Sequence, residues 1–202
     1  MLFQPAKLLL MAVALGSLLC TVASVDIGLF SRNGCQRLVQ FCQRIRQRNC
    51  CATAGTIPAQ SARLYNARRG DRLIANRRSG RFPCARTVAT GRGRSCVSRA
   101  GRYDGVQWCR NCRILDGDGA ERITAAEAGG GKCVEPNLLR IGEKWVEVNG
   151  TTPEVDKNRL WGLIDSDGAE AIPNDLLKYV TAPPDLGEEV DMAGEDDVGD
   201  EE

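Results

Sequence analysis

The residues of this chain with the greatest chemical potential are its cysteines. There are ten in 202 residues, alongside no histidine at all. Without an imidazole there is no Ser-His-Asp or Cys-His catalysis, no histidine-ligated zinc and no histidine general base. Cys20 falls in an apolar leader. The others are Cys35, Cys42, Cys50, Cys51, Cys84, Cys96, Cys109, Cys112 and Cys133. Secreted thiols pair, so these predict disulfides with one cysteine unpaired, either free or linked to a partner; their spacing leaves the connectivity open. Cys50 and Cys51 must point to different partners, because a bond between neighbours closes a strained ring. Cys109-Arg110-Asn111-Cys112 has the C-x-x-C spacing of redox or zinc sites in the cytosol. Behind a leader, with no βαβ context and no second C-x-x-C, it reads as two structural half-cystines.

The carboxylates offer less. Ile114 to Ile123 and Leu163 to Ile172 form a small internal repeat, in which two apolar residues enter an Asp-x-Asp-Gly turn and an isoleucine anchors the exit. Asp116, Asp118, Ile123 and Glu127 match positions of an EF-hand loop, but Glu121 stands where glycine is needed and Ala120 brings no oxygen. The second copy has Leu176 in place of the bidentate glutamate. Turn chemistry accounts for both copies, so neither metal nor cofactor is expected. Asp104, Asp116 and Asp118 would be the acids of a carboxylate-pair glycosidase, but they read as solvated turn residues and no enzyme is expected. Thr90 to Cys96 lacks the strand–loop–helix frame of a phosphate-binding glycine loop. Arg69-Gly70-Asp71 spells an adhesion tripeptide, and Arg68-Arg69 and Arg77-Arg78 spell dibasic processing sites; solvated charge explains each. Asn149-Gly150-Thr151 is an N-glycosylation sequon on a strong turn signal.

The net charge of +1 hides a division. From Asp26 to Cys133 there are 21 Lys and Arg against 7 Asp and Glu, a net +14, and Lys132 is the only lysine among them. From Val134 to Glu202 the balance is 5 against 19, a net −14. Arg68, Arg69, Arg77, Arg78, Arg92 and Arg94 form the candidate face for an anionic partner: a cell-wall polymer, membrane headgroups or an acidic host protein. Nucleic acid is disfavoured, because the charge run lacks interleaved aromatics.

Residues 1–24 read as a cleaved signal peptide, with Lys7 as the positive region and small residues before Ser24 or Val25. The apolar run is short of the roughly 20 residues that span a bilayer, so no transmembrane segment is expected after cleavage. Cys35, Leu38, Cys42 and Ile45 recur at three- and four-residue steps, which predicts a short helix over Cys35 to Cys51. Ser61 to Tyr65 and Arg72 to Asn76 read as a hairpin, and Tyr103 to Cys112 as a strand with Val106 and Trp108 on one face. Leu138 to Ile141 and Trp145 to Val148 read as paired strands, and Asn174 to Tyr179 as a helical turn. The expected fold class is α+β: a disulfide-stapled basic domain over 25–133 with an N-terminal helix and short antiparallel strands. An acidic α/β extension over 134–180 packs on it, and a disordered acidic tail covers 181–202.

The order C-x6-C-x7-CC, Ser61-Ala62-Arg63-Leu64, Gly70-Asp71, Cys84, Gly91-x-Gly93-x-x-Cys96 and Gly105-Val106-Gln107-Trp108-Cys109 resembles the small secreted cysteine-rich proteins of filamentous fungi from which effector candidates are drawn. The resemblance spans Cys35 to Cys112 and brings no catalytic residues. Hydrophobins are excluded, since they need two cysteine doublets and Cys50-Cys51 is the only one here. The resemblance implies a secreted, extracellular, non-enzymatic binding protein. The alternative expectation is a secreted toxin or antimicrobial protein acting on membranes or nucleic acid, with the acidic part as its inhibitory segment.

Overall fold

A computed structural model describes residues 23–53, 58–112, 132–165 and 171–186. Among these the chain is built mainly of β-strands: β1 (Ser24–Phe30), β2 (Leu38–Arg46), β3 (Cys50–Ala52), β4 (Ala59–Tyr65), β5 (Asp71–Ser79), β6 (Phe82–Arg92), β7 (Val97–Tyr103), β8 (Gly105–Arg110), β9 (Cys133–Val134), β10 (Leu138–Ile141), β11 (Lys144–Glu147) and β12 (Val180–Thr181). One α-helix, α1 (Glu154–Asp165), and 3-10 turns at Asn33–Cys35 and Asn174–Tyr179 complete the described elements. A seven-stranded sheet runs β12-β11-β10-β2-β1-β4-β7, and a five-stranded sheet runs β6-β5-β8-β3-β9. Pairings are antiparallel apart from β3 with β9.

The expected α+β class, with its helix over Cys35 to Cys51, is corrected. That stretch is a 3-10 turn followed by β2 and β3. The helical spacing has a specific physical origin. The β1–β2 register slips between Val25 and Ile27, so Gln43 and Arg44 together face Asp26, and Arg44 takes a φ of 54°. Cys42 and Ile45 pair with Ile27 and Val25, which lie two apart on one face. The extra residue of the bulge turns a strand's two-residue step into three and imitates a helical period. Asp26 holds the bulge in place, accepting from the Arg44 backbone N–H at 2.7 Å and from Asn66 Nδ2 at 2.7 Å. A second slip leaves Val39 as an extra residue, and it packs into a different cluster from its neighbours. The unbroken burial of Leu38 to Cys42 is that of a strand covered on both sides.

The main core lies between the two sheets. Val25, Ile27 and Leu29 of β1, Leu64 of β4, Leu73 and Ala75 of β5, and Val106 and Trp108 of β8 meet there. Trp108 is fully buried, and its Nε1 donates to the Ile45 carbonyl at 2.8 Å, which answers the indole's one polar demand. The segments expected to form a hairpin, 61–65 and 72–76, fall in different sheets: β4 pairs with β1 and β7, and β5 pairs with β6 and β8. The turn between them crosses from one sheet to the other.

Four disulfides tie this framework: Cys35–Cys96, Cys42–Cys51, Cys50–Cys84 and Cys109–Cys112. Strand alternation sends the neighbours Cys50 and Cys51 to opposite faces of β3. Cys51 enters the inter-sheet core and reaches Cys42, joining the two sheets. Cys50 crosses the other face to Cys84, and this is why residue 105 is glycine: a Cβ there would lie 2.6 Å from the Cys84 sulfur and 2.8 Å from that of Cys50. Cys133, on β9, is free and exposed.

The acidic extension continues the seven-stranded sheet. β10 pairs with β2 (Leu138 with Phe41), β11 with β10, and β12 with β11. Leu160, Leu163 and Ile164 of α1 pack with Leu176 against Val39, Leu139 and Val146. A third cluster sets Phe41 between Tyr65 and Trp145, with ring centroids at 5.4 and 6.0 Å. The stretch expected to be disordered begins inside the fold: Thr181 pairs with Trp145, and Leu186 packs on this third cluster. Residues 1–22, expected to form a signal peptide, residues 187–202, and the repeat residues Asp116, Asp118 and Glu127 lie outside the described residues.

Candidate anion-binding surface

The six arginines singled out in the sequence do not share one face. The β5–β6 hairpin separates them into two groups. Arg72 of β5 lies directly opposite Arg92 of β6, and Arg77 lies opposite Arg86. These cross-strand pairs stand five residues apart along β5, or about 17 Å at the usual rise of a strand. By alternation along β5, Arg72 shares a face with the buried Ile74, whereas Arg77 falls on the opposite face with Leu73 and Ala75.

The first group gathers around Asp71. This side chain is shut off from solvent, yet it organises two turns. Its Oδ2 accepts from the Arg68 N–H at 2.8 Å, its own N–H donates to the Arg68 carbonyl at 3.0 Å, and its carbonyl accepts from Gly93 N at 2.7 Å. Arg68 and Arg69 are thereby brought beside Arg92 and Arg94, and all four side chains are exposed. Arg110 grips the same carboxylate with two hydrogen bonds, Nε to Oδ1 at 2.7 Å and a terminal nitrogen to Oδ2 at 3.1 Å. The guanidinium lies 5.6 Å from the centre of the Trp108 ring, so it is held between a carboxylate and an aromatic face. The hydrogen bond to Asp71 raises the Arg110 pKa above its ordinary value, outweighing desolvation. This network disposes of the adhesion tripeptide: the Asp71 carboxylate is committed inside the protein and is not on offer to a receptor.

The second group sits at the hairpin tip. Ser79 pairs with Phe82 across Gly80 and Arg81, with Gly80 at a φ of 58°. That is the glycine-first arrangement of a two-residue hairpin turn whose twist matches its strands. Arg77, Arg78, Arg81 and Arg86 are exposed around the tip, and Arg77 Nε donates to the Arg102 carbonyl of β7 at 3.4 Å. Phe82 itself is 69% exposed, the most exposed large apolar side chain among the described residues. Asp104, the described member of the candidate catalytic acids, is engaged in holding this region together. Its Oδ2 accepts from the Arg78 N–H at 2.9 Å and its carbonyl accepts from Thr53 N at 3.0 Å. With Arg77 paired to Arg86 and the Arg78 N–H held by the Asp104 carboxylate, this dibasic pair lies within a strand and not in the free, extended form that a processing protease needs.

Arg72, Arg81, Arg86 and Phe82 were missed in the sequence. Ser79-Gly80 is a turn signal, and pairing strands across it would have set the arginines opposite one another. Asn149 is exposed in a turn, where its Oδ1 accepts from the backbone N–H of Thr151 at 2.8 Å and from its hydroxyl at 2.6 Å. Among the described residues no group of three His, Cys, Asp or Glu side chains could hold a metal ion. No helix of the described residues is long and apolar enough to cross a membrane. The four disulfides are consistent with an oxidising, secreted or extracellular setting.

Topology separates the charges. β6 and β5 pack near β7, at one edge of the seven-stranded sheet, and β10, β11 and β12 form its other edge. From β11 to β7 is five strand steps, or about 24 Å.

Residues 26–137 match a fungal-type family model, ARB_05566_N, described as an N-terminal domain. The match covers more than half of the chain, and the chain belongs to this family. It takes in the two-sheet framework with all four disulfides and stops one residue before β10. No curated protein and no solved structure matches the chain.

Proposed function

We propose that this member of the ARB_05566_N family is a secreted, non-catalytic binding protein of the effector-like kind. Its arginine-rich β5–β6 hairpin engages an anionic partner outside the cell or at a host surface. One observation carries the reading: Arg72 faces Arg92 and Arg77 faces Arg86 across the same hairpin. Like charges directly opposite on a sheet are destabilising, and the cost falls when an anionic ligand lies across them. The surrounding construction keeps these charges in place. Asp71 and Arg110 lock one end, Asp104 locks the Arg78 backbone, and the Cys50–Cys84 bridge fastens β6 to β3. Cross-links also suit a protein that must persist among extracellular proteases. Asn149 is the site at which we propose glycosylation.

Binding to immobilised heparin, with elution by salt, tests the reading. The wild-type protein should need more salt than either Arg72→Gln/Arg92→Gln or Arg77→Gln/Arg86→Gln, because a variant that neutralises fewer sulfate groups releases fewer counterions on binding. Elution of both variants together with the wild type, or no retention of any of them at low salt, would overturn it.

A further inference from the structure

The tip of the β5–β6 hairpin carries a combination found nowhere else among the described residues: a highly exposed aromatic ring on a ribbon whose neighbouring positions carry exposed arginines. Phe82 is 69% exposed, while Phe30 and Phe41, the other described phenylalanines, are 4% and 0% exposed. A single exposed apolar side chain is ordinary on its own; what sets Phe82 apart is its place at a turn whose neighbouring positions carry arginines. Around it Arg77, Arg78, Arg81 and Arg86 are all exposed, and Arg77 is register-paired with Arg86. The neighbouring Asp104 carboxylate accepts from the Arg78 N–H.

The tip is also braced. Cys84, two residues beyond Phe82, is bonded to Cys50 of β3, and the bridge is seated against Gly105 of β8. The next residue after Phe82, Pro83, is buried. Phe82 is therefore presented from a stapled base, so little ordering is needed when it meets a partner.

We infer that this tip is a membrane-docking wedge, whose partner is the surface of a bilayer containing anionic phospholipid. The inference rests on the anion-binding reading above and names the partner class for one end of that hairpin. The guanidinium groups meet headgroup phosphates, and the ring passes below them into the acyl boundary, the division of labour that aromatic and basic residues adopt at membrane interfaces. Shape decides between a membrane and a nucleic acid. Single-stranded nucleic acid is bound along a groove, with ring faces laid open for successive bases. Here one ring stands at the convex end of a two-residue turn, which suits penetration of a soft surface.

The test uses the full mature protein with vesicles of phosphatidylcholine alone and of phosphatidylcholine with a minority of phosphatidylserine, beside heparin and a single-stranded oligonucleotide. Phe82 is exposed, so Phe82→Ala leaves the fold intact. Wild type should partition onto the anionic vesicles and not the neutral ones. Phe82→Ala should lower that partitioning roughly tenfold or more, by loss of one buried ring, and leave heparin retention unchanged. Phe82→Trp should show a blue-shifted emission increment on anionic vesicles. Retention on heparin without vesicle binding, equal vesicle binding by wild type and Phe82→Ala, or a Phe82→Ala defect confined to the oligonucleotide would each overturn the wedge while leaving anion binding standing. Failure of wild type on vesicles, heparin and oligonucleotide alike would overturn both.

Discussion

Two regions of this chain solve the same problem by different means. From Asp26 to Asn137, the family-matched part, strands are held by four disulfides around an inter-sheet core. From Leu138 to Leu186 there is no cysteine. There, α1 and a 3-10 turn close an aliphatic cluster, and the polar contacts are carboxylate-centred: Arg159 with Asp175 at 2.6 Å, Tyr179 with Asp156 at 2.6 Å, and Lys178 with Asp156 at 3.4 Å. The first region carries like charges opposite one another, Arg72 with Arg92 and Arg77 with Arg86, on strands that its cross-links brace. The second pairs its acids locally. On the proposed reading, a surface kept charged for an anionic partner needs a framework that does not depend on charge balance, and covalent bonds provide one.

The largest effect that would sharpen this contrast is removal of a long-range bridge. Cys35–Cys96 spans 61 residues and Cys109–Cys112 spans 3. The chain-entropy account gives about 4 kcal/mol for the first and under about 2 kcal/mol for the second. Paired serine variants, compared by urea denaturation, should show that order. Equal losses would mean that local packing, and not closure of the unfolded chain, sets their contribution.

Next in size is the aliphatic cluster of the extension. Leu160 and Leu176 are fully buried, so either one changed to alanine should cost about 3 kcal/mol by lost burial and the cavity left behind. Hydrogen exchange should quicken across β10, β11 and α1, while β5 and β8 keep their protection. Uniform quickening would show that the two regions melt as one and would dissolve the comparison.

Much of the extension was legible in the sequence. Leu138 to Ile141 and Trp145 to Val148 are two short, mainly apolar segments that read as paired strands, and the structure pairs Leu138–Ile141 with Lys144–Glu147, Leu139 with Val146. Asn174 to Tyr179 is helical, as its pattern predicts. Val106 and Trp108 do share the core face. The first region was misread where a bulge intervenes, because a period alone cannot distinguish a helical step from a strand step lengthened by one residue. Asn66 and Gly70, both at positive φ, turn the chain between β4 and β5 from one sheet to the other, and nothing in local composition says which sheet receives a strand. The arginines were visible as a class. Their division into two groups depends on the Gly80 turn, and the exposure of Phe82 depends on where that turn stands relative to the sandwich.

Acid offers a subtler separation of the two regions. The hydrogen bond from Tyr179, followed by attraction to Lys178 and Arg159, holds the Asp156 carboxyl below its ordinary value near 3.8, despite an opposing desolvation. Asp175 is lowered mainly by its hydrogen bond from Arg159. A carboxyl with a depressed folded-state pKa stabilises fully above its unfolded value, and that contribution is lost as pH falls through the folded one. The extension should therefore weaken below about pH 4, and Asp156→Asn should flatten the dependence. Hydrogen exchange of α1 followed from neutral pH to pH 3, with intrinsic rates corrected, measures it. An unchanged slope in the variant would remove Asp156 from the account.

The smallest expected effect lies where the two regions join. Cys133 begins β9 at the edge of the five-stranded sheet, in parallel register with the bridged Cys50, yet it is exposed and carries no bridge. Lys132, just before it, supplies the carbonyl that accepts from Cys50 N at 3.0 Å, so the backbone and not the thiol holds this strand. Cys133→Ser should then shift stability by no more than about 0.5 kcal/mol, the usual range for a surface change. Iodoacetamide applied to the native protein should modify the Cys133 peptide and spare those of Cys50 and Cys84. Labelling of Cys84 in place of Cys133 would mean that Cys50 takes Cys133 as its partner, tying the junction into the covalent framework. The first region would then extend, in its manner of stabilisation, up to the strand where the extension begins.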